Sequence, residues 1–275
     1  MLVELPEPFD FALTIERFAR FGDDLANRVV DGALHRVLDG AAVRIAAASG
    51  GAAIDPPRPD LAPAVRRLLG GDADLAAFAA ATAGDPVLAR LLPPLAGLRP
   101  ALVLDPFEML VTAISAQQVS LLAATAIRSR LVARFGTAHG VVHAFPARDV
   151  VARLPEEELL SVGFSRAKAR AVSALARSEL DLDGLARLPD DEVEARLTAL
   201  PGIGRWTAEW FLARHLGRPD LWPAGDLALR RAVGALYLDG RDPDERETRA
   251  LGERFRPFRS LAALYLLVGM RVLAR

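Results

Sequence analysis

The stretch Leu200-Pro201-Gly202-Ile203-Gly204-Arg205-Trp206-Thr207-Ala208 sets two glycines around one aliphatic residue, between two segments of helical pattern. Glycines so placed permit a tight hairpin whose backbone amides face outward while Ile203 anchors the turn in the core. Those amides, with the N-terminus of the following helix, can hold a phosphate group without side-chain charge. For a bare Gly-Ile-Gly the plainer alternative is a helix connection that uses its glycines as C-caps. Downstream, Gly225-Asp226 precedes Leu227-Ala228-Leu229. Asp226 has the type and position of an N-cap, where the positive end of a helix dipole favours an anionic side chain. A fixed carboxylate of this kind can stabilise a developing positive charge or orient a water. All three tryptophans of the chain, Trp206, Trp210 and Trp222, fall in the same region, and the first two share one helix face. Their electron-rich rings suit a flat or cationic ligand, although aromatics at helical spacing are also ordinary core.

Other chemistries lack their residues. The chain has no cysteine, which removes disulfides, thiolate metal sites, iron–sulfur clusters and thiol catalysis. His35, His139, His143 and His215 show no metal-ligand spacing. Of the 34 basic residues only Lys168 is a lysine, so amine catalysis through a lysine side chain has a single candidate.

The elements that must position these groups follow from the breaks. A chain of 275 residues, 52% hydrophobic and 25% charged, suits a folded protein of one large or two moderate domains. Residues 1–98 read as an α+β domain with a small antiparallel sheet. There Asp39-Gly40 forms a turn between β-compatible segments, and Val43, Ile45 and Ala47 alternate with Ala42, Arg44 and Ala46. Asp55-Pro56-Pro57-Arg58-Pro59 breaks the chain before a short helix over 61–69. Leu91-Leu92-Pro93-Pro94, followed by Gly97 and Pro100, marks the domain boundary. Residues 99–275 read as helical almost throughout, opening with Asp105 as N-cap and Pro106 at the first helical position of a helix through Val111. Helices over 191–199 and 205–216 flank the hairpin. The fold class expected is mostly α, a multi-helix domain behind a small α+β one.

On these residues the sequence resembles the helix-hairpin-helix DNA glycosylases named for their Gly-Pro-Asp-type loop, and in particular the bacterial 3-methyladenine DNA glycosylase II group. In that family the hairpin is followed, after one helix and a loop, by a catalytic aspartate opening the next helix, matched here by Leu221-Trp222-Pro223-Ala224-Gly225-Asp226-Leu227-Ala228-Leu229-Arg230-Arg231. Pro106-Phe107-Glu108 with Ile114-Ser115-Ala116-Gln117-Gln118-Val119-Ser120 looks like the family's first core helix and its DNA-penetrating turn. Gly163-Phe164-Ser165-Arg166-Ala167-Lys168-Ala169 and Arg254-Phe255-Arg256-Pro257-Phe258-Arg259-Ser260 look like two later family segments, and Pro8-Phe9-Asp10-Phe11 like the start of its N-terminal domain.

The resemblance implies a helix-hairpin-helix glycosylase core, duplex DNA with damaged bases as partner, and excision of those bases. Cleaving an N-glycosidic bond develops oxocarbenium-like charge at the sugar C1′, which Asp226 would stabilise. The base must first leave the stack, into a pocket for which Trp206, Trp210 and Trp222 are the candidates. Gln118 stands where the family fills the gap left in the duplex; a bulky aliphatic residue is common there in the alkylation-repair group, and glutamine occurs in relatives with other substrates. Gly202, Ile203, Gly204, Thr207, Arg230, Arg231 and Arg259 are the further DNA-contact candidates. In relatives that also cut the strand, a Schiff-base lysine follows the hairpin. Trp206 holds that position, so simple hydrolysis to an abasic site is expected. No cofactor is implied beyond a structural cation on the carbonyls of Thr198, Leu200 and Gly202. The alternatives are a glycosylase for deaminated or oxidised bases such as hypoxanthine, uracil or 8-oxoguanine, and a non-catalytic hairpin module. The module would be marked by the lack of a carboxylate at Asp226.

A net charge of −1 argues mildly against a nucleic-acid partner. Yet residues 201–275 carry 13 arginines against 9 acids, a local net of +4. The N-terminus MLVELPEPFD lacks the basic start and apolar run of a signal peptide. The apolar stretch from Leu261 to Met270 is shorter than the roughly 20 residues of a membrane span. A cytoplasmic monomer with no membrane contact is expected.

Overall fold

The computed structural model describes residues 1–273. Five short strands, β1 (Leu2–Glu4), β2 (Asn27–Val30), β3 (Ala33–Leu38), β4 (Ala41–Ala48) and β5 (Gly51–Asp55), form one antiparallel sheet in the order β1-β5-β4-β3-β2. The expected hairpin is β3–β4, with Leu38 opposite Ala41 across Asp39-Gly40. Both turn residues have positive φ, as a two-residue turn matched to strand twist requires. Asp31-Gly32 repeats the device between β2 and β3. Val43 and Ile45 face inward with Leu34 and Ile54, under the helix Phe11–Ala19, and Arg44 faces out. The predicted helix over 61–69 begins one turn early as a 3-10 turn, Pro59–Leu61, and continues as α-helix over Ala62–Leu68.

Beyond residue 99 helices dominate, interrupted by a two-stranded hairpin, β6 (Thr137–His139) and β7 (Val142–Ala144), in a region expected to be helical. The Asp105 carboxylate caps the helix Pro106–Ala116 by accepting from the Glu108 amide. That helix runs past Val111, because its apolar residues continue all round and nine of its eleven positions are buried. Three hydrophobic cores result. One lies under the sheet, and a second gathers the helices from Val103 to Leu212. The third packs Leu75, Phe78, Leu88, Leu91, Leu95 and Leu98 against Leu229, Leu261, Tyr265 and Leu266. Residues 75–98, placed with the N-terminal unit by the sequence breaks, thus share their core with the C-terminal helices. No helix among the described residues is long and apolar enough to cross a membrane.

A buried charge cluster joins sheet to helices. Glu108 pairs with Arg36 of β3 at 2.6 Å and with Arg128, which also pairs with Asp24. All three partners of this central unit, Glu108, Arg36 and Arg128, are at most 4% exposed.

Candidate active site

The hairpin forms where its glycines require it. The helix Asp190–Thr198 ends at the C-cap Ala199, and the helix Arg205–Phe211 starts from Gly204. Gly202 has φ +76°, and a Cβ on it would lie 2.5 Å from the Cβ of Ala171. Both facts demand glycine there. Ile203 is buried and its amide donates to the Leu200 carbonyl. Among the described residues the amides of Gly202, Gly204, Arg205 and Trp206 donate to no protein acceptor. They sit at a helix N-terminus beside exposed backbone, which is an anion-binding arrangement.

Two side chains from distant segments hold the hairpin. The Gln117 amide donates to the Gly202 carbonyl at 3.0 Å and to the Thr207 hydroxyl at 3.1 Å. Lys168 is buried, with its ammonium donating to the Ser115 carbonyl at 2.9 Å, and burial lowers its pKa. Gln118 follows, exposed, with φ +55°. A non-glycine residue in the left-handed region marks a turn held by its surroundings. Exposed Val119, Leu121 and Leu122 flank it.

The expected helix over 205–216 is α-helical only to Phe211 and continues as a π-helical turn, Leu212–Leu216, closed by Gly217 at φ +70°. Trp206, Trp210 and Arg214 follow one another at intervals of four residues along this segment. Both indole N–H groups donate to Oδ2 of Asp226, Trp206 at 2.8 Å and Trp210 at 3.1 Å. Its Oδ1 accepts the amides of Ala228 at 2.9 Å and Leu229 at 3.0 Å, capping the helix Leu227–Tyr237. The carboxylate is therefore 7% exposed, satisfied by four neutral donors, and without an ion-pair partner among the described residues. It lies at the seam between the second core, on which the two indoles pack, and the third, which holds Ala224 and Leu229. Seams of this kind are where ligand clefts form. The two indole rings meet edge to face at 6.0 Å, and the Arg214 guanidinium lies 4.8 Å above Trp210. Burial and the neighbouring Arg17 pull the Arg214 pKa down to about 9, opposed by Asp226.

Other candidates lie elsewhere. Trp222 is core, 3% exposed, its N–H given to the Thr248 carbonyl and its ring tilted against Phe255 at 5.5 Å. The loop before Asp226 has to turn its large apolar side chain inward, which corrects its assignment to the pocket. Arg259 is also corrected as a free phosphate contact: its guanidinium is bound to Asp220 and Glu253. The Arg230 Nε donates to the Pro243 carbonyl. Thr207 is 1% exposed, so its hydroxyl holds Gln117 and faces no DNA. Ile203 likewise contributes anchoring and no surface. The Leu200 and Gly202 carbonyls accept from Ile203 and Gln117 respectively, and Thr198 is exposed. Gln117 and Arg214 escaped the sequence reading. Arg214 had a signal, as the third member of the i, i+4 series begun by Trp206 and Trp210.

This hairpin, with its carboxylate opening the next helix but one element on, is matched by a family model. Residues 111–257 match the model described as "HhH-GPD superfamily base excision DNA repair protein". The chain belongs to this superfamily. A Mycobacterium tuberculosis protein named "Probable bifunctional transcriptional activator/DNA repair enzyme AlkA" is 38% identical over 73% of this chain and 41% of its own length. The chain thus spans less than half of that relative. The Schizosaccharomyces pombe DNA-3-methyladenine glycosylase 1 is 32% identical over 59% of this chain and 71% of the relative. Among solved structures, the 3-methyladenine DNA-glycosylase from Archaeoglobus fulgidus superposes with a TM-score of 0.88 at 29% identity, covering 98% of this chain and 99% of that one. The superfamily match takes in the hairpin and Asp226, and the fold match takes in the N-terminal sheet as well.

Proposed function

We propose that this chain is a DNA glycosylase of base excision repair that hydrolyses the N-glycosidic bond of flipped-out alkylated bases in duplex DNA and leaves an abasic site. One observation carries the reading: a nearly buried carboxylate, Asp226, satisfied by two indoles and a helix N-terminus but by no cation, beside a hairpin with open amides. The hairpin amides take a phosphate and set the register. The nucleotide swings out towards Trp206 and Trp210. As the bond to the base breaks, positive charge grows at C1′, and it is met by the Asp226 carboxylate, which no arginine binds directly. Water then adds to C1′. Two relatives carry names for 3-methyladenine release, which supports the alkylated base.

The indole at Trp206 offers no amine, and Lys168 is committed to the Ser115 carbonyl. Neither supports a Schiff base, so strand cleavage is outside the proposed activity. No cofactor is proposed. A weakly held monovalent or divalent cation on the Thr198, Leu200 and Gly202 carbonyls belongs to the same reading: the donors are neutral oxygens, two of them already accepting one hydrogen bond. The purified protein is expected to release 3-methyladenine or 7-methylguanine from methylated DNA, and Asp226→Asn to abolish release. Full activity in that variant would overturn the mechanism. A covalent protein–DNA adduct trapped by borohydride would overturn simple hydrolysis.

A further inference from the structure

The turn after the helix Pro106–Ala116 has a backbone that its own residues do not ask for. Gln118 holds φ +55°, a left-handed conformation that costs free energy in a residue with a Cβ unless the surroundings impose it. Next to it Val119, Leu121 and Leu122 are exposed, the last of them at 62%. Three exposed apolar side chains within four positions mark a surface that meets something other than water.

Ties to distant segments impose the conformation. Just before the turn, the Lys168 ammonium donates to the Ser115 carbonyl at 2.9 Å. From the turn itself the Gln117 side chain reaches residues 85 and 90 positions away, and its amide donates both to the Gly202 carbonyl and to the Thr207 hydroxyl. Lys168 and Ala171 belong to one helix, Arg166–Arg177, and Ala171 is the residue whose Cβ leaves no room for a side chain at Gly202. Turn, helix and hairpin therefore close a triangle in which each touches the other two.

This triangle joins two surfaces with different tasks. The hairpin presents the open amides of Gly202, Gly204, Arg205 and Trp206, which suit a phosphate. The turn presents an apolar edge, which suits the interior of a base stack or the sugar walls of a groove. A loose turn would have to be ordered at every encounter, and fixing it in advance removes that cost. Gln117 is the only side chain of the turn that binds the hairpin among the described residues.

We infer that Gln117 is a positioning residue that locks the turn 117–122 to the hairpin, so that capture of a phosphate by the hairpin sets the apolar edge of the turn against the base pair being opened. The inference rests on the glycosylase reading above and names the step at which Gln117 acts. That step is the opening of the pair, before the bond to the base is cut.

The test compares two duplexes that differ in what must be broken first: 7-methylguanine opposite cytosine, and 7-methylguanine opposite an abasic-site analogue, where there is no pair to open. Gln117→Met keeps the length of the side chain and removes both donors. In single-turnover assays of the full chain it is expected to slow release opposite cytosine about tenfold, the scale of one or two lost hydrogen bonds. Release opposite the analogue should change by less than about twofold on the same scale. Affinity for an undamaged duplex, and its dependence on salt, should match the wild type, because the phosphate-binding amides are intact. Thr207→Val removes one of the two acceptors and is expected to give a smaller loss with the same bias, adding little to Gln117→Met in the double variant. Equal slowing on both duplexes would place the effect in bond cleavage, through Thr207 and its neighbour Trp206, and would overturn the inference. Unchanged release from both would do the same, as would a loss of affinity for the undamaged duplex, which would mean that Gln117 merely builds the hairpin. A wild type that releases 7-methylguanine from neither duplex would refute the glycosylase reading, and this inference with it.

Discussion

Two carboxylates in this molecule are almost equally hidden from water and are treated in opposite ways. Glu108 meets two arginines, Arg36 and Arg128, from the sheet and from the next helix. Asp226 meets two indoles and two amides, all neutral. A buried ion pair neutralises its own field and serves to fix one element against another. A carboxylate whose hydrogen-bond donors are all neutral has no ion pair of its own, and its field is available to whatever positive charge arises beside it. The first carboxylate bolts the sheet to the helices. The second has only neutral donors within hydrogen-bonding distance.

The contrast can be broken most directly at Asp226. Asp226→Asn keeps an oxygen for the Ala228 and Leu229 amides, so the fold is expected to hold while base release drops by at least about 10³-fold. Single-turnover release alongside thermal melting measures both. Glu108→Gln should do the reverse. With its charge gone, Arg36 and Arg128 lose their main counter-ion in a buried position, at a cost of about 3 kcal/mol in urea unfolding. The rate of the folded protein should stay close to that of the wild type. Trp206→Phe removes one of the two indole donors and keeps an aromatic ring. A loss of about tenfold in kcat, roughly 1.4 kcal/mol, is expected, with little change in melting temperature. Trp222→Phe loses only the bond to the Thr248 carbonyl, inside the third core. About 1 kcal/mol of stability should go, with kcat kept. Were Trp222→Phe to lower kcat as Trp206→Phe does, the assignment of one tryptophan to the site and the other to the core would fail.

Much of this was legible in the chain because the signals are local. The glycines of the hairpin, the Asp39-Gly40 turn and the Asp105-Pro106 helix start each state a backbone requirement within a few residues, and each was met. Asp226 belongs with them, since an N-cap is defined by its own neighbours. Trp222 was misplaced because sequence spacing reports which residues share a helix face, and Trp222 stands in a loop where no such period applies. Gln117 was passed over for its neighbour Gln118, because its partners, Gly202 and Thr207, lie 85 and 90 residues away.

By itself the sequence determined the class of the fold, the tight glycine turn and the capping carboxylate that follows it, for these rest on glycine stereochemistry, apolar periodicity and capping over short range. Only the tertiary structure decided which charges are cancelled and which are left standing. Arg259, Arg36 and Arg128 find acids across long stretches of chain, while Asp226 is brought to the seam of two cores with only neutral donors within hydrogen-bonding distance. Charge compensation depends on distance in space, falling off with separation and rising with burial, and neither quantity is written in the order of the residues.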